Sequence, residues 1–159
     1  MLLSGKNFND VLDEAKELGY AESDPTFDIG GIDAAHKLTI LASICFGIPL
    51  NYDSVYVEGI EDIDLQDLNN AMELGYTIKH LAIARKSKYG IELRVHPCLV
   101  PNSRLLANVN GVKNAVVVNS DAAGPTLYYG AGAGSLATAS SVVSDLSLIH
   151  ISEPTRLAI

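Results

Sequence analysis

From Thr77 to Tyr129, strand-like segments follow one another with a single short helical stretch between them. This succession limits the possible folds more than any other feature of the chain. Thr77 to Arg85 and Ile91 to Val95 are rich in apolar and β-branched residues and flank the polar, glycine-ended link Lys86 to Gly90, the pattern of a hairpin. Ser103 to Val109 reads as a short helix, and Asn110-Gly111 is a strong turn signal. Ala115 to Asn119 and Thr126 to Tyr129 then read as two more strands. Strands joined by short turns pair antiparallel, whereas a doubly wound parallel sheet needs a helix between successive strands. The sequence therefore predicts an α+β fold, with a mixed or antiparallel sheet covered by helices on one face.

The helices that would cover that sheet are legible from periodicity, caps and stops. Phe8, Val11, Leu12, Ala15 and Leu18 recur at helical spacing, which predicts an amphipathic helix over Asn7 to Leu18, with Asn7 as N-cap and Gly19 as its stop. Tyr20 to Ile32 reads as a loop, because Pro25, Gly30 and Gly31 interrupt any regular pattern. A second helix is expected from Asp33 to Phe46, closed by Gly47 and Pro49, and a third from Asp64 to Leu74, capped by Asp64 and ended by Gly75. Ser54 to Ile60 reads as a strand on the strength of Val55, Tyr56 and Val57. A last helix begins near Ser135 and runs at least to Leu146. Glu-Leu-Gly-Tyr occurs at 17–20 and again at 73–76, two similar helix ends with no repeat architecture behind them.

Charge and composition remove whole classes of function. The 159 residues carry a formal charge of −8, which argues against nucleic acid as a partner, since phosphate binding needs clustered Lys and Arg. Apolar residues make up 48%, enough for a real core and against disorder. The apolar run Leu38 to Leu50 is broken by Gly47 and Pro49, and Ala122 to Ser144 by glycines and Pro125, so neither reads as the ~20 apolar residues a bilayer span needs. No basic start followed by an apolar block suggests a secretory signal. Cys45 and Cys98 read as reduced thiols of a cytoplasmic protein.

Most of the negative charge lies between Asp10 and Asp33, where Asp10, Asp13, Glu14, Glu17, Glu22, Asp24, Asp28 and Asp33 face one base, Lys16. The first half of that run reads as a solvated helix face. The second half, from Glu22 to Asp33, is loop chemistry, and loops are common carriers of binding residues. Its spacing does not fit a Ca²⁺ loop and suits an ammonium group better. Asp33 and Lys37 stand four apart at the start of a helix and share a face. The pair is either a surface ion pair or a proton-transfer site, in which Asp33 orients an amine that the helix dipole would otherwise disfavour. Gly130, Gly132 and Gly134 precede the last helix without forming GxGxxG, and serve either tight packing or close approach of an anionic ligand to the helix N-terminus. His96-Pro97-Cys98 lacks the second ligand pair of a zinc site, and His36, His80 and His150 stand alone as structural or exposed residues.

The stretch from Ala15 to Lys37 reads AKELGYAESDPTFDIGGIDAAHK: an Ala, a Gly-aromatic pair, Asp-Pro, then Asp-x-x-Gly-x-Asp and a Lys four further on. It resembles the signature of homoserine dehydrogenases. The segment from Leu106 to Val117, the run from Gly130 to Ala139 and Val143-Ser144-Asp145-Leu146 are similar to that family's closing segments. The resemblance covers about residues 2–146; after Leu146 it stops, and residues 147–159 look like translated adapter read-through.

The resemblance implies an oxidoreductase that interconverts L-homoserine and L-aspartate 4-semialdehyde with NAD(P), in the synthesis of threonine, methionine and isoleucine. It implies Lys37 as the catalytic proton donor and acceptor, with Asp33 beside it. Glu22, Asp28 and Asp33 would bind substrate, Glu22 at the α-ammonium, and Gly134 would touch the nicotinamide nucleotide. It further implies a homodimer and a 1–146 region that binds substrate and dimerises. The family's dinucleotide-binding domain and its second active-site lysine have no counterpart in this sequence, so the expectation is a piece that is inactive by itself. The alternative is a non-catalytic dimerisation or interaction module derived from the same region.

Overall fold

A computed structural model describes residues 8–17, 24–132 and 134–152. The chain divides after Ala107 into two compact units.

In the first unit, α1 (Phe8–Glu17) is the amphipathic helix that the periodicity predicts, while its expected cap Asn7, end Leu18 and stop Gly19 lie outside the described residues. The expected loop that follows contains a helical turn, α2 (Thr26–Ile29). Its cause is local: the Asp24 carboxylate accepts the Thr26 N–H at 3.1 Å, and Pro25 presents its carbonyl to the N–H groups of Asp28 and Ile29, both at 2.9 Å. Gly31 then adopts φ +79°, and the chain enters α3 (Ile32–Phe46). Ala35, Leu38, Thr39 and Ala42 form the buried stripe of α3 at the spacing of one helix face. Gly47, at φ +65°, ends it with its N–H on the Ser43 carbonyl at 2.9 Å.

The predicted strand Ser54 to Ile60 shrinks to β1 (Tyr56–Val57), after a 3₁₀ turn at Tyr52–Ser54. Its parallel partner offers register only at Arg94 and Val95. Beyond Val57 the chain is drawn away: the Glu58 N–H still reaches the Val95 carbonyl at 2.8 Å, but the Ile60 N–H goes to Ile29, at the end of α2, at 2.9 Å. The third predicted helix is α4 (Leu65–Glu73), opened by a capping box in which Asp64 and Asp67 each accept the other's backbone N–H.

The hairpin is longer than the sequence suggests. β2 (Tyr76–Ser87) and β3 (Gly90–Pro101) pair antiparallel from Ser87–Gly90 to Tyr76–Pro101. His96-Pro97-Cys98 is strand, not a break. Because the Val95 carbonyl faces β1, the alternation of β3 turns the Pro97 nitrogen to that same side, past the end of β1, where no ladder hydrogen bond is lost. The sheet order is β1-β3-β2, parallel at the first pair and antiparallel at the second. Its helix-covered face carries Leu93 and Val95, which form one core with Ala35, Leu38 and Ala42 of α3. Val95 is fully buried. The predicted helix Ser103 to Val109 is a 3₁₀ turn at Leu105–Asn108.

The second unit holds the antiparallel pair β4 (Lys113–Ser120) and β5 (Gly124–Ala131), followed by α5 (Ser135–Ser152). Both strands extend past their predicted ends, and α5 continues through Leu146 without interruption. Mixed α+β architecture, read from the strand succession, is what the chain adopts. No described helix is long and apolar enough to cross a membrane.

Candidate active site

The strongest candidate pair stands on the first two turns of α3. Lys37 Nζ lies 2.5 Å from Asp33 Oδ2, one helical turn apart, with side-chain exposures of 68% and 38%. Between two exposed groups an ion pair is worth a few tenths of a kcal/mol, so stability alone does not account for its placement. Asp33 sits in the first turn, where the helix dipole favours an anion, and its carboxylate offsets the dipole's repulsion of Lys37. The arrangement fixes an amine at the surface, with two of its hydrogens free of Asp33 Oδ2 to meet a ligand oxygen.

Asp28 lies on α2, directly before the turn that launches α3. Its carbonyl accepts the Gly31 N–H at 3.2 Å, and its carboxylate is exposed. Gly31 must be glycine there. Its φ of +79° disfavours any side chain, and a Cβ would stand 2.9 Å from His80 Cε1 and 3.0 Å from Val95 Cγ1. Glu22 lies outside the described residues. Asp24, at the start of α2, has its pKa lowered by hydrogen bonding with Thr26.

Gly134 belongs to the second unit. It has φ +112°, its carbonyl accepts the Thr138 N–H at 3.0 Å in the first turn of α5, and no atom of the described residues lies within 4 Å of where a Cβ would stand. Open space above a glycine at a helix N-terminus fits close approach of a nucleotide to the backbone.

Two histidines set aside in the sequence are engaged. The His36 ring contacts Phe27 and Tyr52 edge-on, at centroid distances of 5.5 and 4.5 Å. His80 Nε2 lies 2.9 Å from the Glu58 carbonyl. Neither contact has a sequence signal, since each joins side chains or backbone far apart in the chain. Cys98 Sγ lies 3.4 Å from His96 Nδ1, and burial pushes its thiol pKa up. Among the described residues, no group of three or more His, Cys, Asp or Glu could hold a metal ion.

A family model for homoserine dehydrogenase matches residues 1–147. The homoserine dehydrogenase of Pseudomonas aeruginosa is 67% identical over 142 residues, covering 89% of this chain and 33% of that protein. That of Neisseria gonorrhoeae is 61% identical, with the same coverage. The crystal structure of a homoserine dehydrogenase from Thiobacillus denitrificans superposes with a TM-score of 0.89 at 59% identity, over 98% of this chain and 37% of that one. A hyperthermophilic archaeal homoserine dehydrogenase mutant, solved in complex with NADPH, superposes with a TM-score of 0.72 at 31% identity, over 96% of this chain and 43% of that one. The chain thus spans about a third of the length of the curated relatives it matches. An acidic turn leading into an Asp33–Lys37 helix, a mixed α+β fold and a family match across 147 residues agree: this chain belongs to the homoserine dehydrogenase family.

Proposed function

We propose that this chain supplies the substrate-binding and proton-transfer part of an NAD(P)-dependent interconversion of L-homoserine and L-aspartate 4-semialdehyde. The reaction is a cytoplasmic step in threonine, methionine and isoleucine synthesis, and the working form is a homodimer. The observation that supports this reading best is the surface amine of Lys37, held 2.5 Å from Asp33 at the head of α3 in a chain of this family.

In the reducing direction, a Lys37 ammonium hydrogen passes to the aldehyde oxygen as a hydride reaches the carbonyl carbon. The C=O π pair becomes the new O–H bond, and Lys37 is left as the amine. In the reverse direction that amine takes the hydroxyl proton. Asp33 steers the ammonium. Glu22 and Asp28 supply negative charge for the substrate's α-ammonium, which offsets its desolvation. NAD(P), when bound, supplies or accepts the hydride. Gly134 would meet the nucleotide at the head of α5, and the sequence contains no GxGxxG loop for its pyrophosphate. The 159-residue chain alone therefore binds NAD(P) weakly and turns over little.

A second reading, a non-catalytic pairing module, draws on β2. This 12-residue strand has no strand on its outer side among the described residues. Substrate protection separates the two. L-Homoserine should slow amine-reactive labelling of Lys37 in this chain, as located by peptide mass spectrometry. Unchanged labelling at saturating homoserine would favour the module.

A further inference from the structure

We propose that His80 is a positioning residue for the Asp33–Lys37 site, acting through the Glu58 carbonyl and the Gly31 turn. The inference rests on the reading of that pair as the reacting site. His80 projects from β2 onto the helix-covered face, on the same side as Ala82 and Ala84. Its Nε2 is 2.9 Å from the Glu58 carbonyl, which can only accept, so Nε2 carries the hydrogen. Glu58 is held from its other side by its N–H on Val95, and two residues on, Ile60 bonds back to Ile29 at the end of α2. One ring thus pins the short segment that ties β3 to α2.

The same ring is the floor of the turn between α2 and α3. At Gly31 a Cβ would stand 2.9 Å from His80 Cε1 and 3.1 Å from His80 Nε2. Gly31 has no Cβ, so the imidazole occupies the space that a side chain at this turn would fill. Gly31 receives the Asp28 carbonyl on its N–H and gives its own carbonyl to Ala35, the first turn of α3. Asp28, Asp33 and Lys37 are therefore aimed by a turn resting on His80, although the imidazole is hydrogen-bonded elsewhere. A site of this kind depends on the group that locks its backbone as much as on the groups that react.

The test places the chain in the corresponding segment of the 67%-identical Pseudomonas aeruginosa enzyme and compares Lys37→Ala, His80→Leu, His80→Gln and Gly31→Ala. Leu fills similar space but cannot donate to Glu58; Gln keeps a donor. His80→Leu should lower kcat/KM for homoserine about tenfold with KM for NADP⁺ unchanged, and His80→Gln should recover it to within about threefold. Gly31→Ala should reproduce the loss from the other side of the contact, and the double variant with His80→Leu should be little worse than either alone, because both break one unit. In the 159-residue chain itself, His80→Leu should speed amide exchange at Ala35, and His80→Gln should not. Wild-type kinetics in His80→Leu, alongside an inactive Lys37→Ala, would overturn the role of His80 and leave the site standing. A Lys37→Ala variant as active as the parent would overturn the site reading and the positioning role with it. If His80→Leu fails to fold, His80→Asn, whose amide is too short to reach the Glu58 carbonyl, takes its place: a kcat/KM within about twofold of the parent would overturn the proposal, and a loss of about tenfold would uphold it.

Discussion

Lys37 and Asp33 meet at 2.5 Å across one turn of α3, with the lysine the more exposed of the two. The carboxylate thereby aims the amine outward without burying it. Asp33→Asn removes the charge and keeps the shape. Loss of an exposed pair should cost no more than about 0.5 kcal/mol of stability, whereas kcat in the hybrid enzyme should fall roughly tenfold to a hundredfold. Steady-state kinetics beside a thermal melt separates the two effects. Equal, small losses in both would reduce the pair to surface decoration.

The two cysteines should differ in reactivity. Cys45 is exposed, while burial raises the pKa of the Cys98 thiol, an effect that Arg94 opposes and Glu58 reinforces. Since the thiolate is the nucleophile, iodoacetamide at pH 8 should modify Cys45 first. Cys98 should catch up only above the ordinary thiol value of 9.0. The sign for stability follows. A folded-state pKa raised above the unfolded one leaves Cys98's contribution intact below the unfolded value, and that contribution is lost as pH rises through the folded one. Faster labelling of Cys98 than of Cys45 at pH 8 would contradict this.

α4 should depend on its first residue. Asp64 accepts the Asp67 N–H at 2.8 Å, and Asp67 returns the bond at 3.2 Å. Asp64→Ala removes half of that box and should cost about 1 kcal/mol; Asp64→Ser should recover most of it. Urea melts of the three proteins decide the matter.

Leu38 follows Lys37 on α3 and points the other way, into the core with Val95. Leu38→Ala should destabilise the chain by about 2–4 kcal/mol through the cavity it leaves, and where the fold survives it should spare Lys37 labelling by amine reagents. A loss below 1 kcal/mol would mean the α3 core collapses around the gap.

What the sequence disclosed depended on how far apart the partners stand. The Gly47 and Pro49 stop and the Asp64 cap are local signals, so α3 and α4 were legible to within a residue or two. The Asp33–Lys37 pair was legible for the same reason, since i and i+4 must share a face. α2 was hidden, because four residues are too few for periodicity and its cause is a single Asp24–Thr26 bond. Strand ends were set by partners: β1 stops where its two-residue register with β3 runs out, and β3 carries Pro97 because its nitrogen faces away from β2. His80 read as an isolated residue because its partner is a backbone carbonyl 22 residues away. Glu22 was read from motif alone and lies outside the described residues.

In the proposed reaction the amine at position 37 moves the proton. Turnover of the Pseudomonas aeruginosa hybrid carrying Lys37→Ala, measured beside its melting temperature, tests it most directly. A proton-transferring Lys37 requires kcat to fall by about a hundredfold or more with the melt unchanged; a kcat within about twofold of the parent would mean that another group moves the proton.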